Sequence, residues 1–538
     1  MPLISGKDLI EAGWPPGPQF PEWLAAAAAY EARGIGDPAY ILKLLDRDYA
    51  RPSPRLRMRD EPLAFAEAIE ATNEADEENI ASVRRFMRQL MRTPVIESGA
   101  VMPDACPAGA AEATIPVGGA IAARGAILPA AHSADICCSM YATFFRSAQE
   151  TGALLDALTA STRFGFGGRK PEDQVVHPVL NEPVWSNPYL RGLERHAAMH
   201  LADQGDGNHF AYLGRLRVTR GVIDALAAAG RDELARPLRD AVGSDLDDPD
   251  GVTFLALVTH HGSRGLGAQV YKRGHQAAIR ETDRIAEGIP KAAAWLDIAT
   301  DTGRDYWEAL EYVGRWTRAN HECIHARFLE RSGAEKVAEF GNEHNFVWRR
   351  GEHFLHGKGA TPAWLDADSR PLPGLIPLNM ASPILITLGR NNAGFEGFAP
   401  HGAGRNFSRT AILRQFRREN GDLDERRVAS AVAAATRGLD IRWYYGKADL
   451  TESPLGYKPA AQVRAQIERF ELADIVAEIE PLGCIMAGDA GPAPWMRHKE
   501  ELTPKQKRQI EHRADRRKLR QNLRHWESGA ADGDDEED

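Results

Sequence analysis

Apolar residues recur at three- and four-residue intervals in the first 93 residues, a spacing that predicts amphipathic helices. The Ala-rich segment 21–34 (PEWLAAAAAYEARG) is one such stretch, and a longer one covers 62–91. Asp37 followed by Pro38 predicts the start of another helix, because Asp caps a first turn and Pro is tolerated in it. The pattern therefore predicts a helical N-terminal extension over residues 1–95.

After Thr93 and Pro94 the pattern changes to short apolar runs punctuated by glycine, which predict β-strands. These runs cover 95–106, 113–130, 139–145, 375–380 and 384–389. Helical spacing returns between about residues 267 and 333, most clearly in 271–288 and 304–333. Because helices and strands do not alternate as βαβ units, the sequence predicts an α+β catalytic domain over 96–490.

The last segment, 491–538, is strongly charged. A basic, helix-forming stretch precedes the acidic end SGAADGDDEED. The basic part allows two interpretations, a contact with nucleic-acid phosphates or a solvated helix. The acidic composition of the end is typical of a disordered tail.

Composition and charge favour a soluble globular protein and argue against a membrane-spanning or secreted one. Hydrophobic content of 43% is ordinary for a soluble globular protein, and no apolar run approaches the roughly 20 residues that span a bilayer. The N-terminus lacks the basic and apolar regions of a signal peptide. The five cysteines are odd in number and two are adjacent, so we expect reduced thiols and a cytoplasmic protein. The net charge of −10 argues against nucleic-acid binding through bulk charge but leaves room for a local basic channel.

Asp135 and Cys138 stand three residues apart in HSADICCSM, just after an apolar, strand-like run. A carboxylate and a thiol at the mouth of a strand can bind a metal together, and a thiolate can bridge two ions. Taken alone, such a pair is more often an exposed acid beside a buried thiol. Both interpretations stay open on this segment.

Three more segments place histidines beside glycine, amide or arginine residues. DQGDGNHF contains His209 with Asn208 before it, THHGSRGLG contains His260 and His261, and FGNEHNF contains His344. A single histidine with polar neighbours is more often a satisfied surface or core residue than a ligand. Here glycine lets the backbone approach closely, and a ligand histidine needs polar neighbours to orient its ring. The segments therefore indicate metal ligands.

His401 lies in APHGAGRNFSR, before a glycine-rich turn that ends at Arg405. A loop with few side chains lets a phosphate reach the ring while backbone N–H groups and Arg405 hold its oxygens. In a chain with candidate metal ligands, this pattern favours phosphoryl or nucleotidyl transfer.

Taken together, the motifs resemble those of the RtcB-type RNA-splicing ligases. They occur in order between about residues 101 and 488, as VMPDAC, GGAIAARGAILPAAHSADICCSM, GDGNHF, HHGSRGLG, EHN, KGA, PHGAGRNFSR and ESPLGYK. The resemblance implies an α+β fold of the family's own kind around a deep two-metal cleft. It also implies a reaction, in tRNA splicing or RNA repair, that joins RNA 3′-phosphate or 2′,3′-cyclic phosphate ends to 5′-hydroxyl ends with GTP and two manganese ions.

The resemblance further implies roles for individual residues. The ligands of the first metal would be Asp135, Cys138 and His209, and those of the second Cys138, His260 and His344, which makes Cys138 a bridging thiolate. His401 matches the histidine that is guanylylated. The positions expected to contact the nucleotide are Asp104, Asn208, Asn379 and Arg405, and Arg264 falls where a contact with an RNA phosphate is expected.

Several positions depart from the family pattern. Pro-Asp-Val-His is Pro-Asp-Ala-Cys here, Asp-Ile-Gly-Cys-Gly is Asp-Ile-Cys-Cys-Ser, and Gly-Ser-Met-Gly is Leu-Asn-Met-Ala. Tyr212 stands where a glutamate is expected, and Ala487 where a lysine is expected. The family reads guanine with that glutamate and lysine. We therefore predict a weaker preference for GTP over ATP, unless Asn379 or the extended C-terminus supplies the contacts instead.

The sequence thus predicts a GTP- and manganese-dependent RNA ligase that acts through a guanylylated His401. One alternative is a diverged nucleotidyltransferase with altered nucleotide choice, or one that caps ends without sealing them. Another is a non-catalytic RNA-end-binding protein. The expected partners are RNA with the end groups named above and, through the resemblance, an accessory activator protein. No membrane partner is expected, and a monomer is the default expectation.

Overall fold

The computed structural model of the protein describes residues 2–14, 16–17, 19–49, 55–109, 111–165 and 167–489. The predicted charged tail, 491–538, lies outside them. Helices and strands are mixed along the chain, as the sequence predicts. In the part of the chain that the structure describes, every helix is too short or too polar to cross a membrane.

Helices and strands follow one another without a regular alternation. The helices of the described residues are α1 (Gly6–Glu11), α2 (Phe20–Ala32), α3 (Pro38–Asp48), α4 (Glu74–Leu90), α5 (Thr151–Ser161), α6 (Glu194–His200), α7 (Arg220–Ala228), α8 (Asp232–Val242), α9 (Arg264–Ile285), α10 (Asp301–Ser332), α11 (Arg409–Gln415), α12 (Glu425–Ala435) and α13 (Ala460–Arg469). Their strands are β1 (Leu56–Arg57), β2 (Ala66–Glu67), β3 (Ile96–Cys106), β4 (Val117–Arg124), β5 (Ala126–Ile127), β6 (Ser139–Arg146), β7 (Arg163–Phe164), β8 (Asp203–Gly205), β9 (Phe210–Val218), β10 (Val252–His261), β11 (Ala286–Glu287), β12 (Leu296–Asp297), β13 (Glu335–Glu343), β14 (Phe346–Arg350), β15 (His353–Lys358), β16 (Ala360–Pro362), β17 (Pro373–Pro377), β18 (Ile384–Gly389), β19 (Phe398–Pro400), β20 (Asp440–Trp443) and β21 (Ala473–Met486).

Most of the predicted elements are confirmed. The runs at 95–106 and 139–145 are β3 and β6, and the run at 113–130 contains β4 and β5. The later runs correspond to β17 and β18, and the two predicted helices to α9 and α10. Of these elements, β3, β6 and α9 contribute to the candidate site, whereas β9, β10 and β13, which position its histidines, were not predicted.

The helix predicted over 62–91 is wrong in its first part, because α4 begins only at Glu74. Asn73 caps it by accepting a hydrogen bond from the Asp76 N–H at 3.0 Å. The residues before this cap are extended, and β2 pairs in parallel with β3 through Ala66 and Ala100. Sheet pairing and the Asn cap, rather than apolar spacing, decide where the helix starts.

Helices α1, α2 and α3 share a core of their own. The buried residues of this core include Leu9, Trp14, Trp23, Ile41 and Leu45. Helix α3 begins as predicted, since the Asp37 carboxylate accepts a hydrogen bond from the Ala39 N–H at 2.9 Å. Helix α4 instead packs with β3 and β4 in a separate apolar cluster. The boundary of an N-terminal extension at residue 95 stays a prediction.

Two sheets form the body that holds the site. The larger sheet has the order β13-β6-β10-β9-β21-β18-β17, with β20 paired beside β21. Neighbouring side chains of its strands point to opposite faces. Phe144 packs in the cluster that includes residues of α7 and α8, whereas Phe145 packs in the cluster that includes residues of α5 and α10. The smaller sheet has the order β14-β15-β4-β3-β2.

Candidate active site

The candidate metal ligands lie at one end of four neighbouring strands of the larger sheet. Cys138 precedes β6, His209 precedes β9, His260 is the second-last residue of β10, and His344 follows β13. These strands run antiparallel to their neighbours, so the start of one lies beside the end of the next. The register pairs His260 with Phe210 of β9 and with Met140 of β6. Antiparallel pairing therefore gathers residues that are far apart in sequence.

The side chains converge around the Cys138 thiol. Its Sγ lies 3.1 Å from Nε2 of His260 and 3.6 Å from Nε2 of His209. His260 Nε2 lies 3.1 Å from Nε2 of His344, and His209 Nε2 lies 3.0 Å from the Asp135 carboxylate. The five residues form two groups whose ligand atoms lie within 4.8 Å of one another, and Cys138 belongs to both. Each group could hold a metal ion, and the two groups share the Cys138 sulfur.

The ring of His260 is oriented for ligation. Its Nδ1 donates a hydrogen bond to the Asn208 carbonyl oxygen at 3.1 Å, which leaves the lone pair of Nε2 directed at Cys138. Burial lowers the pKa of His260 to about 3, and burial likewise lowers the pKa of His344 well below its usual value. Both imidazoles are therefore neutral, the form that binds a metal. Among the residues that the structure describes, His344 Nδ1 is buried without a hydrogen-bond partner.

The carboxylate of Asp135 is held in its ionised form. Burial by itself would raise the pKa of Asp135, but the neighbouring His209 and Arg264 reverse this and lower it below its usual range. Gly262 lets the backbone lie close to the Asp135 carboxylate, since a Cβ at that position would be 2.0 Å from Asp135 Oδ1. The glycine of the HHGSRG motif is therefore required by the packing of the ligand carboxylate.

Arg264 lies beside the first group of ligands. It begins α9 with φ of 52°, and its side chain is 10% exposed. Nη1 lies 3.3 Å from His209 Nδ1 and 3.5 Å from the Asp206 carboxylate. The structure thus brings the predicted RNA-phosphate contact to the metal ligands, in a mostly buried position.

His401 lies next to the second group of ligands. It follows β19, which pairs with β16, and its ring centroid is 4.8 Å from that of His344. Its Nδ1 lies 2.5 Å from the Asp104 carboxylate and donates a hydrogen bond to it, so the neutral ring would carry its lone pair on Nε2. Gly404, with φ of 71°, permits this contact, because a Cβ there would lie 2.0 Å from the Asp104 carbonyl oxygen. The loop therefore holds the His401 ring against Asp104.

A cavity of about 240 Å³ extends from His401 and His260. Its lining includes the cationic side chains of Lys358, Arg405 and Arg409 and the carboxylate of Glu452. Another part of the lining is apolar, with Phe210, Tyr212, Ile384, Met380 and Met486. Asn208 and Asn379 also line it, as the resemblance implies for nucleotide contacts. Cationic and apolar side chains in one cavity suit a ligand that carries both phosphates and a base.

Glu452 fixes the two arginines of this cavity. Its carboxylate, 2% exposed, accepts two hydrogen bonds from Arg405 and one from Arg409, each at 2.7 Å. The Tyr457 hydroxyl donates to the same carboxylate at 2.7 Å, and the Arg405 guanidinium lies over the Tyr457 ring at 5.0 Å. The sequence interpretation did not assign Glu452 or Lys358, although both lie in quoted motifs, ESPLGYK and KGA.

The departures from the family pattern have structural consequences. Tyr212 is buried and its hydroxyl donates to the Ile479 carbonyl oxygen at 3.0 Å. Ala487 is buried in the apolar cluster with α5 rather than among the residues that line the cavity. Asn379 accepts a hydrogen bond from the Ala381 N–H at 2.9 Å, which occupies its carbonyl oxygen. None of these three residues brings a charge to the cavity.

Comparison with known proteins identifies the family. A family model described as tRNA-splicing ligase RtcB matches residues 188–487. The matched range contains His209, His260, His344, His401 and Arg405, whereas Asp104, Asp135 and Cys138 precede it.

Several relatives carry the same description. The chain is 26% identical over 364 residues to the tRNA-splicing ligase RtcB of Pyrococcus furiosus, covering 61% of this chain and 34% of the relative. It is 27% identical over 310 residues to the RNA-splicing ligase RtcB of Mycobacterium tuberculosis, covering 53% of this chain and 64% of the relative. It is 23% identical over 407 residues to the RNA-splicing ligase RtcB1 of Escherichia coli, covering 69% of this chain and 86% of the relative. The chain spans about a third of the length of the Pyrococcus relatives. Because the family model matches more than half of the chain, the protein belongs to the tRNA-splicing ligase RtcB family.

Proposed function

We propose that this protein is an RNA ligase that joins 3′-phosphate or 2′,3′-cyclic phosphate ends of RNA to 5′-hydroxyl ends through a guanylylated His401. The observation that carries the proposal is the position of His401. It is aligned by Asp104, adjoins a pair of candidate metal sites and opens on a cavity with cationic residues. The catalytic domain would comprise residues 96–490, since the cavity-lining residues extend from Cys106 to Met486.

The donor set fits two divalent ions. Asp135, Cys138 and His209 would hold one, and Cys138, His260 and His344 the other. The neutral imidazoles of His260 and His344 support ligation, because a ligand ring must be unprotonated at the coordinating nitrogen. When bound, the ions, manganese by resemblance, would offset the negative charge of the triphosphate and polarise its phosphorus–oxygen bonds.

His401 would act as the nucleophile. Nε2 attacks the α-phosphorus of GTP, a nitrogen–phosphorus bond forms, and the bond to the bridging oxygen breaks to release pyrophosphate. The Asp104 carboxylate holds Nδ1–H and stabilises the positive charge that develops on the ring. Lys358 and the arginines held by Glu452 would bind the phosphate oxygens.

RNA would then take the nucleotide from His401. An oxygen of the RNA 3′-phosphate attacks the phosphorus on Nε2, and the nitrogen–phosphorus bond breaks, which returns the ring to its neutral form. The 5′-hydroxyl of the second RNA end attacks the activated 3′-phosphate, and GMP leaves as the new phosphodiester forms. Arg264, beside His209, would contact an RNA phosphate at this stage.

A cytoplasmic location is part of the proposal and is supported by the free state of all five cysteines.

A second candidate function, nucleotidyl transfer with altered nucleotide choice, is favoured by the apolar lining of the cavity. Tyr212 and Ala487 bring no charged group that could select guanine. This candidate keeps the chemistry at His401 and changes only the base that is accepted.

A sealing assay tests the proposed function. Labelled RNA with a 3′-phosphate and a 5′-hydroxyl is incubated with the protein, manganese and GTP, and a circular or joined product is expected. If the RNA acquires a nucleotide cap but is not joined, the activity is end-capping and not ligation. If the protein binds the RNA but forms neither a joined nor a capped product, it is a non-catalytic end-binding protein and the proposal is overturned.

A further inference from the structure

A surface pocket distinct from the cavity at His401 is rich in cations. It has a volume of about 610 Å³ and is lined by Arg163, Arg169, Lys170 and Arg327, together with the carboxylates of Glu172 and Asp173. Four cations against two carboxylates give the pocket a positive balance, whereas the whole chain has a net charge of −10. A local cationic pocket on an acidic protein is a place where a polyanion can be bound selectively.

An exposed pair of aromatic residues lies beside this pocket. Tyr444 is 44% exposed and Tyr445 is 39% exposed, and their ring centroids are 5.8 Å apart. Tyr444 rests on Phe164, the residue after Arg163 of the basic pocket, at a centroid distance of 5.4 Å. Large aromatic side chains that stay in solvent at the end of a strand offer flat surfaces for stacking. We refer to Tyr444 and Tyr445 as the tyrosine pair.

The chain links both features to the candidate metal ligands. Strand β7 pairs in parallel with β8, and the Gly165 N–H donates to the Gly205 carbonyl oxygen at 2.8 Å. Gly165 also lies against the Tyr445 hydroxyl. His209 follows Gly205 by four residues, a span of at most about 14 Å. The tyrosine pair therefore lies within a few nucleotides' reach of the candidate metal ligands, and Arg163 of the basic pocket belongs to the same strand β7.

We propose that the tyrosine pair and the basic pocket bind a single-stranded arm of the RNA substrate as it leaves the site of joining. Bases next to the joined phosphate stack on Tyr444 and Tyr445, and the following backbone phosphates bind in the pocket of Arg163, Arg169, Lys170 and Arg327. Stacking together with a cationic groove is the combination that binds single strands without reading their sequence. This inference rests on the proposed function, because it assigns the surface to the RNA on which that site would act.

The test measures equilibrium binding of a fluorescent single-stranded oligoribonucleotide with a 3′-phosphate, by anisotropy, over a range of salt concentrations. The double variant Tyr444→Ala/Tyr445→Ala should raise the dissociation constant by about tenfold or more, since base stacking on an aromatic residue is lost. Lys170→Ala should lower the slope of log affinity against log salt by about one, because one phosphate contact is removed. The matched controls are Tyr40→Ala, at another exposed tyrosine, and Lys291→Ala, at another exposed lysine.

A separate readout distinguishes this inference from the proposed function. Nucleotide transfer to His401 needs no RNA, so all four variants should form the adduct as the wild type does, which also shows that they fold. Loss of RNA binding with a normal adduct supports the inference, and loss of the adduct in the wild type contradicts the proposed function alone. Unchanged RNA binding in the tyrosine and Lys170 variants overturns the inference. An equal loss for blunt duplex RNA overturns the single-stranded assignment, because paired bases cannot stack on the tyrosines.

Discussion

Asp104 and His401 are 297 residues apart in the chain, and their side chains meet at 2.5 Å. Asp104 comes from β3 of the smaller sheet, and His401 from the loop after β19. The carboxylate accepts the Nδ1 proton, so the neutral tautomer of His401 would carry its lone pair on Nε2. The contact joins a residue of the smaller sheet to the edge of the cluster of candidate metal ligands.

The first prediction concerns Asp104. Asp104→Asn removes the negative charge that stabilises the ring and no longer fixes the tautomer. The rate of nucleotide transfer to His401 should fall by at least about 100-fold. Metal content should stay normal, since Asp104 belongs to neither ligand group. A transfer rate that is unchanged in rapid-quench measurements would remove Asp104 from the mechanism.

The second prediction concerns the shared sulfur. Cys138→Ala should lose both ions, because its Sγ belongs to both ligand groups, whereas Asp135→Ala should weaken mainly one. Metal content measured after dialysis distinguishes the two. The neighbouring Cys137, which belongs to neither group and packs in the apolar core around α10, gives the matched control Cys137→Ala, with both ions retained. Full metal content in the Cys138 variant would contradict the bridging role.

The third prediction concerns pH. Burial lowers the pKa of Lys358 to about 8, so its ammonium is lost as pH rises through that value. Binding of a non-hydrolysable GTP analogue, measured by calorimetry, should therefore weaken above about pH 8 in the wild type. Lys358→Arg keeps its charge to much higher pH and should not show the fall. The same fall in both proteins would show that another group titrates.

The fourth prediction concerns nucleotide choice. A buried site that pairs with the polar edge of guanine rejects adenine strongly, because a mismatch leaves polar groups unpaired. The Tyr212 hydroxyl already donates to Ile479, and Ala487 offers no polar group. We expect a preference for GTP over ATP of less than about 100-fold. The measurement is competition between labelled GTP and unlabelled ATP for adduct formation. A large excess of ATP that leaves the guanylyl adduct undiminished would show that selectivity has been rebuilt by other residues.

Three candidate ligand histidines could be singled out from the sequence because each lies in a short motif with glycine or amide neighbours, whereas the full ligand set was implied by the resemblance. Strand runs such as 139–145 were predictable from their apolar pattern alone. The start of α4 was missed because the apolar spacing at 63–69 is compatible with either a helix or an edge strand. The helix begins only after the cap at Asn73, and the segment before it contains β2, which pairs with β3.

Contacts between distant segments could not be read from local pattern. The role of Glu452 depends on Arg405 and Arg409, which approach it only after folding. The hydroxyl of Tyr212 looks available in the sequence, but the pairing of β9 with β21 turns it to Ile479. The lowered pKa of Lys358 likewise follows from burial, which the KGA motif does not disclose.

The central claim is that His401 is the nucleophile, and adduct chemistry tests it most directly. The protein is incubated with manganese and α-labelled GTP, and the label retained on the denatured chain is measured after treatment with acid or alkali. The account predicts a labelled wild-type protein whose adduct is lost in acid and stable in alkali, because protonation of the ring nitrogen makes it a good leaving group. His401→Ala should bind metal normally and retain no label. A labelled His401→Ala protein, or a wild-type adduct that survives acid, would contradict the account.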